Sequence, residues 1–397
     1  MIFEGVSTGQ CVITFGFSTN NQAPVAMSRP FYLNLKKVTD LYEHWTVGDN
    51  TTTEWYEITN RASRTPDSGG YGSPQKKEDL DYILFVHGWR MQPWERRAFA
   101  STAYKRMWQL GYRGRFGLYS WPTDYTANPG DLSTQFSRQN YDRSEQRAWN
   151  SSWGLWRLLI DLNKKYTPSY RVRLMAHSMG NIVASEALRF RGLNPNKPPL
   201  VQAYIASQAA SVAHAYDAVN PEVVRTISTP EVYANYPRGN SNQPYFTGMG
   251  NAVAIDPLFL KRRIFNFHNS DDYALNYALA WPLNQTAKPD IGWGYSHPEW
   301  WRNLLVTTPL SLSVDQWEIF AHIASAKSKA LGCAEDSTHH IQGEIGFSVD
   351  LHNPNTFNFT SSTNDHSAQF NSINQKRRTY WWQVLSSSGL TGNLPNP

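Results

Sequence analysis

The sequence has few cysteines and few charges, and it lacks any long apolar run. Only two of its 397 residues are cysteine, Cys11 and Cys333, and they match no C-x-x-C pattern. Two unpaired thiols are therefore the default interpretation, with a disulfide as the alternative. No apolar run has the length of a bilayer crossing, so no membrane span is expected. The first residues, 1–4, lack the basic and apolar regions of a signal peptide.

The charged residues are too dispersed for a nucleic-acid surface. They make up 17% of the chain, and the net charge of +5 comes from short groups such as Arg96-Arg97 and Arg262-Arg263. Nucleic-acid binders concentrate basic residues on one face of a recognisable module, so no nucleic-acid partner is expected. The His339-His340 pair, with Glu335 and Asp336 nearby, fits no zinc spacing. The sequence therefore indicates no metal site and no other cofactor.

Apolar runs alternate with helical patterns from residue 79 onward. Continuous apolar runs of this kind suit strands buried on both faces of a parallel sheet. The alternation predicts an α/β fold with a doubly wound, mainly parallel sheet. Strands are predicted at 82–86, 116–121, 172–176, 201–206, 264–268 and 356–360, and helices at 93–110, 181–189, 314–330 and 373–385. Trp149, Trp153, Trp156 and Ile160 recur at helical spacing, which predicts the core-facing side of a further helix.

The composition divides the chain near residue 75. Residues 1–75 are predicted to be a small β-rich extension and linker, with strands in 10–17 and 31–35 and a short helix at 38–45. Residues 76–397 form the main α/β domain. This domain carries two long connections, 209–260 and 287–310, of which the first is a candidate lid.

The segment Ala176-His177-Ser178-Met179-Gly180 lies between a predicted strand and a predicted helix. This is the context of a nucleophile elbow, in which a sharp turn presents a serine hydroxyl. The residues on either side must be small so that strand and helix can pack closely, and Ala176 and Gly180 meet that demand. Ala176 replaces the first glycine of the G-x-S-x-G pattern. Ser178 is therefore the candidate nucleophile.

A serine hydroxyl needs a base that takes its proton and an acid that orients the base. The predicted strand 264–268 runs into Asp271 and Asp272 and then into a helix-like stretch. One of these two carboxylates is the candidate acid. Either one is alternatively the N-cap of the following helix.

His366 follows the last predicted strand and precedes the last predicted helix, which makes it the best placed of the 11 histidines for the base. His339, His340 and His352 are the alternatives. His177 adjoins Ser178, but neighbouring residues on a sharp turn point in different directions. We therefore expect His177 to pack or to donate a hydrogen bond within the elbow.

An acyl-transfer site also needs two backbone N–H donors for the oxyanion. The residue after the nucleophile, Met179, provides the first. The segment His87-Gly88-Trp89 ends an apolar strand, and we expect the N–H of Trp89 to be the second donor. His87 is expected to lie against the substrate.

These segments together resemble the α/β-hydrolase superfamily, over about residues 79–385. Within it the chain is similar to a little-characterised bacterial branch of predicted serine hydrolases, esterase- and lipase-like, that shares an Asp-x-Ala-Leu acid segment. The resemblance implies Ser178 as nucleophile, Asp272 in preference to Asp271 as acid, and His366 as base. Residues 1 to about 70 look like the terminal part of a longer secreted protein, which favours a secreted location.

The expected activity is hydrolysis of a small-molecule or polymeric carboxylic ester through an acyl-enzyme. The same residues serve acyltransferases and peptidases, and a binding or scaffold protein with a vestigial site is the alternative from another class. Aromatic residues of the two connections, among them Tyr233, Tyr236 and Trp293, predict an apolar wall and a preference for esters with an apolar or aromatic part. The contrasting interpretation is that these aromatics only pack the connections onto the sheet.

Overall fold

The computed structural model describes residues 9–18, 26–35, 37–47, 58–61, 80–123, 138–164, 171–192, 200–211, 264–269, 272, 275, 331–333, 347–352, 357, 365–370 and 375–390. The strands are β1 (Gly9–Ile13), β2 (Gly16–Phe17), β3 (Ala26–Met27), β4 (Phe31–Leu35), β5 (Glu43–Val47), β6 (Ile58–Arg61), β7 (Asp81–Val86), β8 (Arg115–Ser120), β9 (Arg171–His177), β10 (Ala203–Ser207), β11 (Ile264–His268) and β12 (Phe347–Asp350). The α-helices are α1 (Pro93–Gln109), α2 (Arg138–Lys164), α3 (Gly180–Gly192) and α4 (Gln375–Ser387). Short 3-10 helices lie at Val38–Leu41, Leu331–Cys333 and Asp365–Phe370.

An eight-stranded sheet with the order β12-β11-β10-β9-β7-β8-β5-β6 organises the molecule. All neighbouring pairs from β12 to β5 are parallel, and only β6 at the edge is antiparallel. In the central register His177 pairs with Ser207 and Ser207 with Phe267. The carboxyl ends of the parallel strands therefore meet at one edge of the sheet. The predicted α/β class with a doubly wound, mainly parallel sheet is confirmed.

Alternate residues of the central strands enter two separate hydrophobic cores. Leu84 and Leu174 face one core, which includes buried residues of α2 and α3. Ile83, Phe85 and Met175 face the other, which includes residues of α1 and α4. Because side chains alternate along a strand, helices on both faces are needed to bury such apolar runs. The strands predicted at 82–86, 116–121, 172–176, 201–206 and 264–268 are confirmed, with ends that differ by no more than two residues.

An ion-paired cluster ties the strands together at the amino edge of the sheet. Asp81, at the start of β7, accepts two hydrogen bonds of 2.9 Å from Arg171 and one of 2.7 Å from Arg173. Arg173 also donates from Nε to the carbonyl oxygen of Ser388 at 2.7 Å. Arg173 is a buried residue, so its charge requires these partners. The cluster joins β7, β9 and the residue that follows α4.

Part of the predicted N-terminal extension belongs to the central sheet. The helix predicted at 38–45 is wrong, because only Val38–Leu41 is helical and the chain then forms β5. β5 pairs in parallel with β8, and β6 extends the sheet beyond it. The pairs β1–β4 and β2–β3 form separate two-stranded ladders. The proposed division of the chain at residue 75 stays a prediction, but the sheet itself crosses it.

The predicted core-facing side of α2 is confirmed in part. Trp156 and Ile160 are half-buried and pack against the core, next to the fully buried Leu155, Leu158, Leu159 and Leu162, and Trp153 is half-buried as well. One further prediction needs correction. A strand at 356–360 was expected to be the last of the sheet. The strand that pairs with β11 at this edge is instead β12. Phe357 lies in a turn, and the other residues of 356–360 lie outside the described part of the chain.

Several predictions concern residues outside the described ranges. These are the helix at 314–330, the connection at 287–310 and all of the connection at 209–260 beyond Ser211. None of the helices in the described ranges combines the length and the apolar character that a bilayer crossing requires.

Candidate active site

Ser178 lies in the turn between β9 and α3, at the carboxyl edge of the sheet. Its φ angle of 53° is in the left-handed region, which costs free energy for a residue with a side chain and is common at functional turns. Its carbonyl oxygen accepts hydrogen bonds from the backbone N–H and side-chain Nδ2 of Asn181, both at 3.0 Å. Tyr204 of β10 donates to Asn181 Oδ1 at 2.7 Å. These contacts hold the strained turn in place.

The turn requires a glycine at position 180. A Cβ atom at Gly180 would lie 2.4 Å from the carbonyl oxygen of His87 and 2.8 Å from that of Val86. Both are backbone atoms of β7 or the loop after it, and they cannot rotate away. Gly180 therefore lets the start of α3 approach β7 closely.

Ser178, His366 and Asp272 form a continuous chain of hydrogen bonds. Ser178 Oγ and His366 Nε2 are 2.8 Å apart, and His366 Nδ1 and Asp272 Oδ2 are 2.7 Å apart. Asp272 is fully buried, whereas the side chain of His366 keeps 13% of its surface exposed. The acid is sealed from water, while the base remains in reach of a molecule that approaches Ser178.

The chemistry of these three groups fixes the direction of each hydrogen bond. An ionised carboxylate only accepts, so His366 donates from Nδ1–H to Asp272. In neutral imidazole the other nitrogen then carries a lone pair, and Ser178 donates its hydroxyl proton to Nε2. This arrangement can pass a proton from Ser178 to His366 while Asp272 stabilises the imidazolium that forms.

Asp272 combines the two roles considered for the acidic pair. Its Oδ1 accepts from the backbone N–H of Leu275 at 3.2 Å, as an N-cap does in the first turn of a helix. Its Oδ2 faces His366. The cap orients the carboxylate plane, so one oxygen points at the imidazole. Asp271 lies outside the described residues.

His177 supports the main chain that carries His366. Its Nε2–H donates to the carbonyl oxygen of His366 at 2.7 Å, and its ring packs against those of His366 and Phe370. Burial, with the neighbouring His366 as a lesser cause, lowers the pKa of His177 to about 3, against the opposing effect of the hydrogen bond. His177 is therefore neutral at ordinary pH, as its expected role within the elbow requires.

The loop after β7 passes directly against the nucleophile. A Cβ atom at Gly88 would lie 2.9 Å from Cβ of Ser178, so only a glycine permits this approach. Trp89 follows, and Arg90 turns the chain back with a φ angle of 59°. On the other side, Met179 leads into the N-terminus of α3, where helix N–H groups and the helix dipole favour negative charge. The two predicted oxyanion donors thus belong to segments that flank Ser178.

His87 has no exposed surface. Its Nδ1–H donates to the carbonyl oxygen of Gly88 at 2.8 Å, and its Nε2 accepts from the backbone N–H of Trp121 at 3.1 Å. The ring stacks on that of Trp121. Burial, with Arg96 as a lesser cause, lowers the pKa of His87 well below its ordinary value. In this structure the ring supports the Gly88–Trp89 loop from behind and offers no surface to a substrate.

Comparison with known families agrees with this arrangement. Residues 73–221 match a family described as "Alpha/beta hydrolase of unknown function (DUF900)". The matched segment contains Gly88, Ser178 and the strands β7 to β10. The chain has the α/β-hydrolase fold, and over residues 73–221 its sequence is similar to this family. Asp272 and His366 lie beyond the matched segment of this α/β hydrolase, and no curated protein matches the chain.

The structure brings together most of the predicted site residues of the α/β hydrolase. Ser178, Asp272 and His366 are in contact, with Met179 and the Gly88–Trp89 loop beside them. His352 lies two residues after the end of β12, and its backbone N–H donates to Asp350 Oδ1 at 2.9 Å. The other predicted residues lie outside the described ranges: Tyr233, Tyr236, Trp293, His339 and His340.

One contact of the α/β hydrolase was not predicted from the sequence. Gln208, directly after β10, donates from Nε2 to Asp272 Oδ2 at 2.8 Å. A glutamine after a strand carries no recognisable motif, and its partner lies 64 positions later in the chain. Only the sheet order, which puts β10 beside β11, brings the two together.

Proposed function

We propose that the protein is a serine hydrolase that cleaves carboxylic esters through an acyl-enzyme on Ser178. The observation that carries the proposal is the hydrogen-bonded chain from Ser178 Oγ through His366 to the buried Asp272. The left-handed backbone of Ser178 supports it further, because such strain is held only where surrounding contacts maintain it.

In the proposed reaction, His366 Nε2 takes the proton of Ser178 as Oγ attacks the ester carbonyl carbon. The imidazolium then gives this proton to the alcohol oxygen, the C–O bond breaks, and the alcohol leaves. A water molecule attacks the acyl-serine ester while His366, again as base, takes a proton from this water. His366 returns this proton to Ser178 Oγ as the C–O bond to serine breaks, and the carboxylic acid that is released then loses its own proton to water. Asp272 stays ionised throughout and stabilises the charged imidazole.

The negative charge on the carbonyl oxygen needs donors that are already in place. We propose the backbone N–H groups of Met179 and Trp89 for this role. The closeness of Gly88 to Ser178 supports the second donor, since the loop backbone has no intervening side chain. His87 is buried, so its proposed role is to hold this loop and not to contact the substrate.

The proposed substrates are esters with an apolar or aromatic part. The proposal rests on the aromatic content of the connections after β10 and β11, including Tyr233, Tyr236 and Trp293. A series of p-nitrophenyl esters of increasing acyl length, assayed beside aryl esters, tests it. We expect kcat/KM to rise beyond acetate. A steady fall beyond acetate, with no gain for aryl groups, would indicate a small pocket and refute the preference.

A fluorophosphonate probe tests the catalytic proposal, because it reacts only with an activated serine. We expect labelling of the wild type and none of Ser178→Ala. Ser185→Ala is the matched control, since Ser185 is another buried serine, seven residues after Ser178 in α3, whose hydroxyl donates to the carbonyl oxygen of Ile182 in its own helix. Folded wild type that resists the probe and fails to hydrolyse p-nitrophenyl acetate would instead indicate a binding protein with a vestigial site. Formation of a new ester from an added alcohol, in place of hydrolysis, would indicate an acyltransferase. Cleavage of a peptide in preference to an ester would indicate a peptidase.

A further inference from the structure

Gln208 lies just after β10, and its side chain reaches into the candidate site. It follows the last residue of β10, is fully buried and has a φ angle of 43°. Non-glycine residues rarely adopt this left-handed conformation, and glutamine is less suited to it than asparagine. Its backbone N–H donates to the carbonyl oxygen of Phe267 in β11 at 2.8 Å. The strained backbone and this bond aim the side chain toward the segment after β11.

The side chain ends at the acid of the proposed site. Gln208 Nε2 lies 2.8 Å from Asp272 Oδ2, the same oxygen that accepts from His366 Nδ1 at 2.7 Å. The other oxygen, Oδ1, accepts from the backbone N–H of Leu275 at 3.2 Å. Three donors from three segments therefore surround one fully buried carboxylate.

A buried carboxylate needs such donors because water is not there to solvate it. Loss of the Gln208 amide would remove one of the donors that hold the carboxylate against rotation about χ2, and so would weaken its alignment with the imidazole. The amide of Gln208 opposes that rotation. It is also neutral, so it spreads the negative charge of Asp272 without adding a titrating group.

We propose that Gln208 is a positioning residue of the active site, which holds the Asp272 carboxylate in register with His366 through its amide N–H. This inference rests on the proposed function, since it assigns Gln208 a part in the same reaction. Gln208 does not touch the reacting atoms, and it acts through Asp272.

Two substitutions at Gln208 separate the proposed hydrogen bond to Asp272 from any role of the residue in the backbone turn. Asparagine tolerates the left-handed conformation better than glutamine does, so Gln208→Asn relieves backbone strain. Its amide is one methylene shorter and does not reach Asp272. Gln208→Met keeps the length of the side chain and removes the donor. If Gln208 served only the turn, Gln208→Asn would match or exceed the wild type in both stability and rate.

We expect both variants to lower kcat by about tenfold or more, the range of a lost hydrogen bond to a charged group, with KM changed much less. The acidic limb of the kcat/KM profile should also move to higher pH. Asp272 would then carry a less compensated charge and favour protonated His366. Among the described residues, Asp272 and His177 are titratable groups in contact with His366, and His177 stays neutral through this range.

Asn163→Leu is the control for loss of a partly buried, hydrogen-bonded amide away from the site. Asn163 Nδ2 donates to the carbonyl oxygens of Leu159 and Leu200 at the end of α2. This variant should lower the melting temperature without moving the acidic limb. Rates are expressed per site titrated with a burst of activated ester, so that unfolded protein does not lower them.

The two possible failures are distinguishable. Wild type that neither reacts with fluorophosphonate nor turns over ester overturns the proposed function. Wild type that is active, with Gln208→Asn and Gln208→Met at wild-type kcat and with an unmoved acidic limb, overturns the role of Gln208 alone. A lower kcat per titrated site in both variants, together with an acidic limb at higher pH, supports the positioning role of Gln208.

Discussion

His177 Nε2 donates a 2.7 Å hydrogen bond to the carbonyl oxygen of His366, so the residue next to Ser178 holds the main chain of His366. The bond joins the end of β9 to the 3-10 helix Asp365–Phe370. The spacing between Ser178 and His366 is thereby set through backbone as well as through their own side chains.

The first prediction concerns this bond. His177→Phe keeps an aromatic ring against Phe370 but removes the donor, and we expect kcat/KM to fall roughly two- to tenfold, the range for a neutral hydrogen bond. His177→Gln is the matched variant, because its amide nitrogen lies near the position of Nε2 and should preserve most of the rate. Steady-state kinetics with p-nitrophenyl acetate measures both. Equal rates for His177→Phe and the wild type would contradict a positioning role for the bond.

A second prediction distinguishes the two neighbouring carboxylates. Asp272→Asn should lower kcat by several orders of magnitude, because an amide at this position favours the wrong tautomer of His366. Asp271→Asn is the control and should leave most of the activity. Circular dichroism verifies that both variants are folded. A larger loss in Asp271→Asn would mean that the acid has been assigned to the wrong residue.

The third prediction concerns the packing of the elbow. Gly180→Ala brings a methyl group within 2.4 Å of the carbonyl oxygen of His87, and backbone must move to accept it. We expect a loss of about 1–3 kcal/mol in unfolding free energy, together with reduced fluorophosphonate labelling. Gly9→Ala adds the same methyl group where no atom lies within 4 Å, and it should change neither. A Gly180→Ala protein with wild-type stability and labelling would show that the elbow is less tightly packed than described.

The fourth prediction is a loss of stability in acid. The pKa of buried His177 is lowered to about 3 and that of buried His87 is also lowered, while both are free to protonate in the unfolded chain at about pH 6.5. The unfolded state therefore binds more protons below that pH. The stabilisation is fully present above about pH 6.5 and is lost as the pH falls toward 3.

Urea unfolding at a series of pH values between 7 and 4 measures this loss. Each such histidine contributes a slope of up to about 1.4 kcal/mol per pH unit. His177→Phe removes one of these histidines, so it should reduce the slope by up to about 1.4 kcal/mol per pH unit. Asn163→Leu should lower stability by a similar amount at every pH. An unchanged slope in His177→Phe would show that His177 takes up a proton in the folded state as well.

The sequence predicted the centre of the sheet better than its edges. The strands β7, β9 and β11 are buried on both faces and therefore appear as continuous apolar runs. β5 was missed because its buried positions are Glu43, Trp45 and Val47, and a buried carboxylate breaks the apolar alternation. Tyr82 of β7 donates to the Glu43 carboxylate at 2.6 Å, and no local pattern reveals that partner.

The candidate site likewise contains a contact that the sequence could predict and one that it could not. The contact of Ser178 with His366 was predicted from the order of strands along the chain, although the strand expected just before His366, at 356–360, is replaced in the sheet by β12 at Phe347–Asp350. The contact of Gln208 with Asp272 depends on side-chain conformations at the end of two neighbouring strands. Such a contact follows from the folded backbone and not from residue type.

The cluster of Asp81, Arg171 and Arg173 lies at the opposite edge of the sheet from Ser178, about 20 Å away along the seven residues of β9. The chain leaves β10 and β11 toward the long connections at the edge that carries Ser178. A separate anchor at the far edge means that these connections can be exchanged or lengthened without disturbing the ion pairs that hold β7, β9 and the end of α4 together. The scaffold is therefore suited to loop grafting, in which new substrate-contacting segments are introduced around an unchanged serine, histidine and aspartate.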